Sequence, residues 1–171
     1  MHESEHAAAA DAGVRFGGTT PILRVDDLDA SLAFYTGQLG FAEEWRAGGF
    51  ASVGRGRATL MLCEGDQGQA GTWVYVGVSD ADALHAEFRG RGVAIRQPPT
   101  NYPWGAREMQ VCDPDHHVLR FGSDALPGEP IGDWVDGSGT RWRPQPDGSW
   151  HLVDDSPSNP MDTDRSGSAA S

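Results

Sequence analysis

The chain has 171 residues and a formal net charge of −12, the length of one domain or of one domain with tails. No run approaches about 20 consecutive apolar residues, which excludes a transmembrane helix, and two cysteines, Cys63 and Cys112, exclude a disulfide framework or a four-thiolate zinc site. Residues 1–13 contribute −3, residues 124–171 contribute −6 and the segment between them −3, so most of the acidity lies in the ends. All 13 basic residues are Arg, and they are not clustered as phosphate contacts require, so nucleic acid is a poor candidate partner.

Residues 1–16 begin as an acidic stretch without a basic segment followed by an apolar one, so no secretory signal is expected and a cytoplasmic location is. With the Ser-, Pro- and Asp-rich residues 154–171, they read as segments too polar to offset chain entropy by burial.

Between these ends the chain repeats itself. An apolar run at residues 20–25 ends at Val25, and one at 72–78 ends at Val78. Two residues after each comes an Asp suited to cap a helix, Asp27 and Asp80. An amphipathic stretch follows, with Leu28, Leu32, Phe34, Tyr35 and Leu39 in the first and Ala81, Leu84 and Phe88 in the second. Gly40 and Gly92 stop the two helices. Three strands are predicted after each stop, at 41–45, 50–54 and 58–63, then at 93–96, 106–112 and 117–122. Arg55–Ala58 reads as a hairpin turn, and Asp113-Pro114-Asp115 as the turn into the last strand. Trp45 is placed in the core.

The predicted fold class is therefore α+β, with two tandem βαβββ modules whose curved mixed sheets enclose a cleft, over residues 17–124. Residues 125–139, rich in Gly and Pro, are expected to be a linker. Alternation around a Pro-Asp-Gly turn predicts a β-hairpin appendage at 140–153. Trp134, Trp142 and Trp150 could pack together or dock on the main domain.

The histidines carry no evident chemistry. His116 and His117 are adjacent near a strand and point to opposite faces, so they cannot chelate one metal together. His85 is expected to face solvent. Cys63 and Cys112 read as inert thiols in apolar strands.

The segments TPILRVDDLDASLAFYTGQLGF, GTWVYVGVSDADALHAEF and PWGAREMQVCDPDHHVLRF resemble, in this order and spacing, the vicinal oxygen chelate superfamily, also called glyoxalase/bleomycin resistance/dioxygenase. The resemblance covers roughly residues 19–122. Enzymes of that family hold a divalent metal with four side chains, and the family pattern puts those positions at Thr20, Met61, Trp73 and Arg120. None suits a divalent cation, which takes imidazole or carboxylate, and Arg120 brings a fixed positive charge. The resemblance implies no metal and no cofactor here.

It is nearest to the bleomycin-resistance type, which sequesters the drug without chemistry. By that resemblance the ligand-binding residues are Phe50, Trp73 and Trp104, joined by Tyr75, Met61 and Glu64. Acidic Glu64 and Asp66 could face a cationic drug tail. Trp73 and Tyr75 share one strand face, a pattern that admits core packing as well as ligand stacking. One extra residue near Ala106 departs from the family pattern beside Trp104. Pro21 resembles a proline at which the first strand is exchanged between subunits, which implies a homodimer. The expected partners are a small-molecule antibiotic and a second copy, with neither nucleic acid nor membrane. The alternatives are a metal-dependent glyoxalase or dioxygenase-type enzyme and a binder of another small aromatic metabolite.

Overall fold

In the computed structural model, residues 17–136 and 138–153 are described. The elements of the first module are β1 (Ile22–Arg24), α1 (Leu28–Ala33), β2 (Ala42–Ala47), β3 (Phe50–Arg55) and β4 (Ala58–Cys63). Those of the second are β5 (Trp73–Gly77), α2 (Ala81–Gly90), β6 (Ile95–Asn101), β7 (Ala106–Cys112) and β8 (Val118–Asp124). Three short strands follow: β9 (Trp134–Val135), β10 (Arg141–Pro144) and β11 (Trp150–Leu152). No helix among the described residues is long and apolar enough to cross a membrane.

Each module builds a four-stranded sheet of the same order, β1-β4-β3-β2 and β5-β8-β7-β6. In the first, β1 runs parallel to β4 with Ile22 opposite Met61, and β2, β3 and β4 form an antiparallel meander. Both module helices start as the sequence implies. The carboxylates of Asp27 and Asp80 accept the N–H groups of Ala30 and Ala83, each at 2.9 Å, satisfying donors that a helix start leaves free. Gly40 and Gly92 sit at φ 71° and 74°, where a side chain would be strained.

The first helix differs from expectation after Ala33. Its last turn, Phe34–Gln38, is π-helical, with the Leu39 N–H reaching the Phe34 carbonyl at 3.1 Å. Strand β6 runs past the predicted end at residue 96 to Asn101 and takes in Pro98 and Pro99. Proline cannot donate to a ladder, and β6 is an edge strand whose register shifts at that point. Trp45 is a correction: every residue of β2 is exposed, and Trp45 is 43% exposed on the edge strand of its sheet.

The chain divides into two compact units. The first holds residues up to Val74 with Arg91–Val93 and Cys112–Val118. Its core is Leu23, Leu28, Tyr35, Leu39, Val53 and Leu62, all essentially inaccessible. The Tyr35 hydroxyl donates to Asp113 at 2.8 Å. Burial, then the Asp113 charge, pushes this phenol well above its ordinary pKa, and burial raises the Asp113 carboxyl. His117 is also buried here. One ring nitrogen accepts the Thr72 N–H at 3.1 Å and the other meets the Arg24 carbonyl at 2.7 Å, so it fastens the lead-in to β5 to the end of β1. His116 beside it is exposed in the turn at φ 65°. His85 is half-buried, less open than its sequence context implies.

The second unit holds Tyr75–Gly90, Ala94–Val111 and residues from Leu119 onward. Phe88 of α2 packs edge-on against Phe121 of β8 at 5.3 Å, with Met109, Val111 and Leu119 buried on β7 and β8. In this unit β10 and β11 pair as an antiparallel hairpin within residues 140–153, and the segment expected as linker contributes a further strand, β9. Strands β9, β10 and β11 form one antiparallel three-stranded sheet. Asn101 fastens its lead-in: its side-chain amide donates to the carbonyls of Leu126 (2.8 Å) and Glu129 (3.2 Å) and accepts the Leu126 N–H (3.0 Å).

Candidate functional site

The aromatic cluster of the second unit forms around the short loop that joins β6 to β7. Tyr102 leaves β6 buried, and Pro103 and Gly105 turn the chain so that Trp104 projects between them. The Trp104 ring lies flat on Tyr102, with centroids 4.6 Å apart and planes 5° from parallel. Its indole N–H donates 2.8 Å to the Glu108 carboxylate on β7. The other Glu108 oxygen accepts from the Arg120 guanidinium on β8. That guanidinium is 5.2 Å from the Trp104 centroid and 5.9 Å from that of Tyr102, within cation–π range of both.

Local physics explains the arrangement. Glu108 is buried, so its charge must be paired. Arg120 neutralises it and Trp104 adds a second donor. Burial, followed by the Glu108 charge, pushes the Tyr102 phenol up to about 12, so it stays neutral under ordinary conditions. The indole is thus fixed in orientation while 49% of Trp104 remains exposed.

The extension supplies further aromatic lining. Trp150 of β11 lies 6.3 Å from Trp104 with planes tilted by 38°, and Trp134 of β9 meets Trp150 at 6.3 Å and 65°. Together Trp104, Glu108, Arg120, Trp134 and Trp150 line a cavity of about 440 Å³. Trp142 turns elsewhere and donates to Asp136 at 3.0 Å.

The other residues singled out by sequence are not among those that line this cavity. Tyr75, in the same unit, is exposed and lies across Gly122, where a Cβ would collide with its ring. Trp73, Phe50, Met61, Glu64 and Pro21 belong to the first unit. Trp73 is 38% exposed at the start of β5. Phe50 is half-buried at the start of β3, opposite Cys63. Met61 is half-buried on β4, and its N–H donates to the Pro21 carbonyl at 3.0 Å. The Glu64 carboxylate acts locally, accepting the Leu28 N–H at 2.9 Å at the start of α1. Cys63 is buried and Cys112 half-buried.

The four positions that the resemblance assigns to the family's metal do not suit a divalent cation, residue by residue. Thr20, Met61 and Trp73 offer neither imidazole nor carboxylate, and Arg120 is a cation already engaged by Glu108. Among the described residues no three His, Cys, Asp or Glu side chains are grouped as a metal centre.

Sequence reasoning does not find Tyr102, Glu108, Arg120, Trp134 and Trp150 as a site. Trp104 and Glu108 are four residues apart across a turn, and Arg120 and Trp150 come from far along the chain. The one signal that could point to them is the density of Trp residues after residue 130.

Two four-stranded sheets, each a βαβββ module with its fourth strand beside its first, define the class of fold. The chain belongs to the glyoxalase/bleomycin resistance protein/dioxygenase superfamily, whose model matches residues 10–121. Among solved structures it is similar to a bleomycin-binding protein from bleomycin-producing Streptomyces verticillus complexed with copper(II)-bleomycin. That likeness has 30% identity, covers 66% of this chain and 99% of the other, and has a TM-score of 0.56. A glyoxalase/bleomycin resistance protein/dioxygenase from Nocardioides matches at 25% identity, over 71% of this chain and 92% of that one, with a TM-score of 0.54. A bleomycin resistance determinant encoded on the transposon Tn5 shares the fold at 23% identity, over 65% of this chain and all of the other, with a TM-score of 0.58. No curated protein matches the chain. The superfamily includes both enzymes and non-enzymatic binding proteins.

Proposed function

We propose that the protein is a metal-free binding protein that sequesters a bleomycin-type glycopeptide antibiotic and so gives resistance to it. The observation that carries this reading is Trp104. Its ring is backed by Tyr102 at 4.6 Å and fixed by Glu108, yet about half of it remains exposed beside a cavity. A pre-oriented indole face suits a flat heteroaromatic group, with offset stacking worth roughly 0.5–1.5 kcal/mol beyond area burial. The 30% identical protein from Streptomyces verticillus, complexed with copper(II)-bleomycin, supports the same ligand class. The acidic chain favours capture of a cation.

Trp73 and Tyr75 add exposed aromatic surface on β5. Parts for Phe50, Met61 and Glu64 in binding rest on the family resemblance. Glu64 would then act through its grip on α1 as well as by its charge. We also propose a homodimer in which Pro21 precedes an exchanged strand. Strand β1 pairs with β4 over three residues, and a partner's β1 could make the same parallel ladder.

Calorimetric titration of the full chain with metal-free bleomycin tests the reading. Saturable binding of one drug per chain supports it. No heat of binding at about 100 µM drug, far above a micromolar dissociation constant, or turnover of a family substrate by the metal-loaded protein, overturns it.

A further inference from the structure

We propose that the extension after residue 124 is a wall of the ligand site, in which Trp134 and Trp150 join Trp104 to hold a planar heteroaromatic cation. The proposal deepens the reading of Trp104 as a ligand surface and rests on it.

The extension lies beyond what the family model matches. The family model ends at residue 121, and the structures from Streptomyces verticillus and Tn5 are matched over 99% and 100% of their own length while covering only 66% and 65% of this chain. It is also built to stay in place. Besides the Asn101 side-chain bonds, the Gly132 N–H donates to the Asn101 carbonyl at 2.9 Å. The Arg143 guanidinium holds Asp133 through two bonds of 2.9 Å. The Gln97 amide reaches the Asp133 carbonyl at 3.2 Å.

What the extension presents is aromatic. Indoles serving only to close a small sheet would be expected to fill their own interior, whereas Trp134 and Trp150 line open space of about 440 Å³. That volume lies within the roughly 300–1,000 Å³ of small-ligand sites. The Glu108–Arg120 pair is internally neutral and Arg120 already lies 5.2 Å from the Trp104 centroid, so the faces of Trp134 and Trp150 set the preference, and their negative quadrupoles favour a cation. The chain's net charge of −12 has the same sign of preference. Because the Trp104 and Trp150 planes are tilted by 38° at 6.3 Å, a flat ligand lies offset against them and is not sandwiched.

The test uses the full chain and two probes, metal-free bleomycin and acridine orange, a planar heteroaromatic cation, with dissociation constants from calorimetry. Trp134→Ala and Trp150→Ala should each weaken binding of acridine orange at least fivefold, and Trp150→Phe should keep most of the affinity. Thermal unfolding checks that each variant is folded. For a variant that does not fold, wild-type protein labelled with 5-fluorotryptophan replaces it, and the Trp134 and Trp150 resonances should shift on saturation. Wild-type affinity in both Ala variants, or fluorine resonances that do not move, overturns the proposal. So does tighter binding by Trp150→Ala, which would make Trp150 a plug. Acridine orange binding that depends on Trp150, without bleomycin binding, leaves this inference standing and removes the antibiotic reading. Binding of neither probe removes both.

Discussion

Trp104 and Glu108, four residues apart across the turn from β6 into β7, are joined by an indole N–H to carboxylate bond of 2.8 Å. The same carboxylate takes the Arg120 guanidinium, so one buried acid orients the exposed aromatic face and neutralises the cation beside it. Binding and stability at this site are therefore separable, and each can be measured.

Trp104→Ala should fold with modest loss of stability, since the ring is half exposed, and should weaken bleomycin binding at least tenfold, about 1.4 kcal/mol. Phe50→Ala is expected to do the same. Phe88→Ala is the contrasting control: Phe88 is fully buried against Phe121, and its truncation should cost about 3–5 kcal/mol in urea denaturation. A Phe50→Ala protein that unfolds, or that binds as the wild type does, removes Phe50 from ligand binding.

Arg120→Met should destabilise strongly, because it leaves Glu108, whose side chain is 3% exposed, buried without a countercharge. Breaking such a pair costs about 3–5 kcal/mol. The double variant Arg120→Met/Glu108→Gln should recover much of that loss, since the amide oxygen can still accept from Trp104. Chemical denaturation of the wild type and the two variants gives the comparison, and a double variant no better than Arg120→Met would count against this account of the pair.

Acid should loosen the extension. Asp136 is held down to about 2, first by the Ser138 hydroxyl and then by the Trp142 indole. Arg143 lowers Asp133, and Ser149 lowers Asp147. A carboxyl whose folded pKa is depressed contributes stability above its unfolded value, 3.8 here, and loses it as pH falls toward the folded value. The extension should therefore weaken between about pH 4 and pH 2. Tryptophan emission should change over that window while backbone circular dichroism changes less. Asp136→Asn should abolish part of the change.

Purified protein should carry no stoichiometric divalent metal, because Thr20, Met61, Trp73 and Arg120, which the family resemblance puts at the metal positions of its enzymes, offer neither imidazole nor carboxylate. Elemental analysis by plasma mass spectrometry checks this. One tightly held metal per chain, lost on mutating any residue of the aromatic cavity, would contradict it.

Local signals in the sequence are legible and the long-range ones are not. Asp27, Asp80, Gly40 and Gly92 act within a turn of their own positions, so the helix starts and stops can be read directly, and with them the two modules. Trp45 cannot be placed in this way. Strand alternation says which residues share a face, not whether the strand lies at an edge, and β2 is an edge. His117 sits between Arg24 and Thr72, and its burial depends on both strand ends. The extension reads as linker and appendage because its anchor, Asn101, lies 25 residues before the Leu126 it holds. Trp104 is assigned to a ligand site only by the family resemblance, and its supports Tyr102, Glu108 and Arg120 come together only once β6, β7 and β8 are paired.

Calorimetric titration of wild type and Trp104→Ala with metal-free bleomycin, in parallel, addresses the central claim most directly. Saturable binding by the wild type, weakened at least tenfold in the variant with its fold intact, is the predicted result. Equal affinity in the two proteins, or no binding by either, would contradict the assignment of this aromatic face to antibiotic capture.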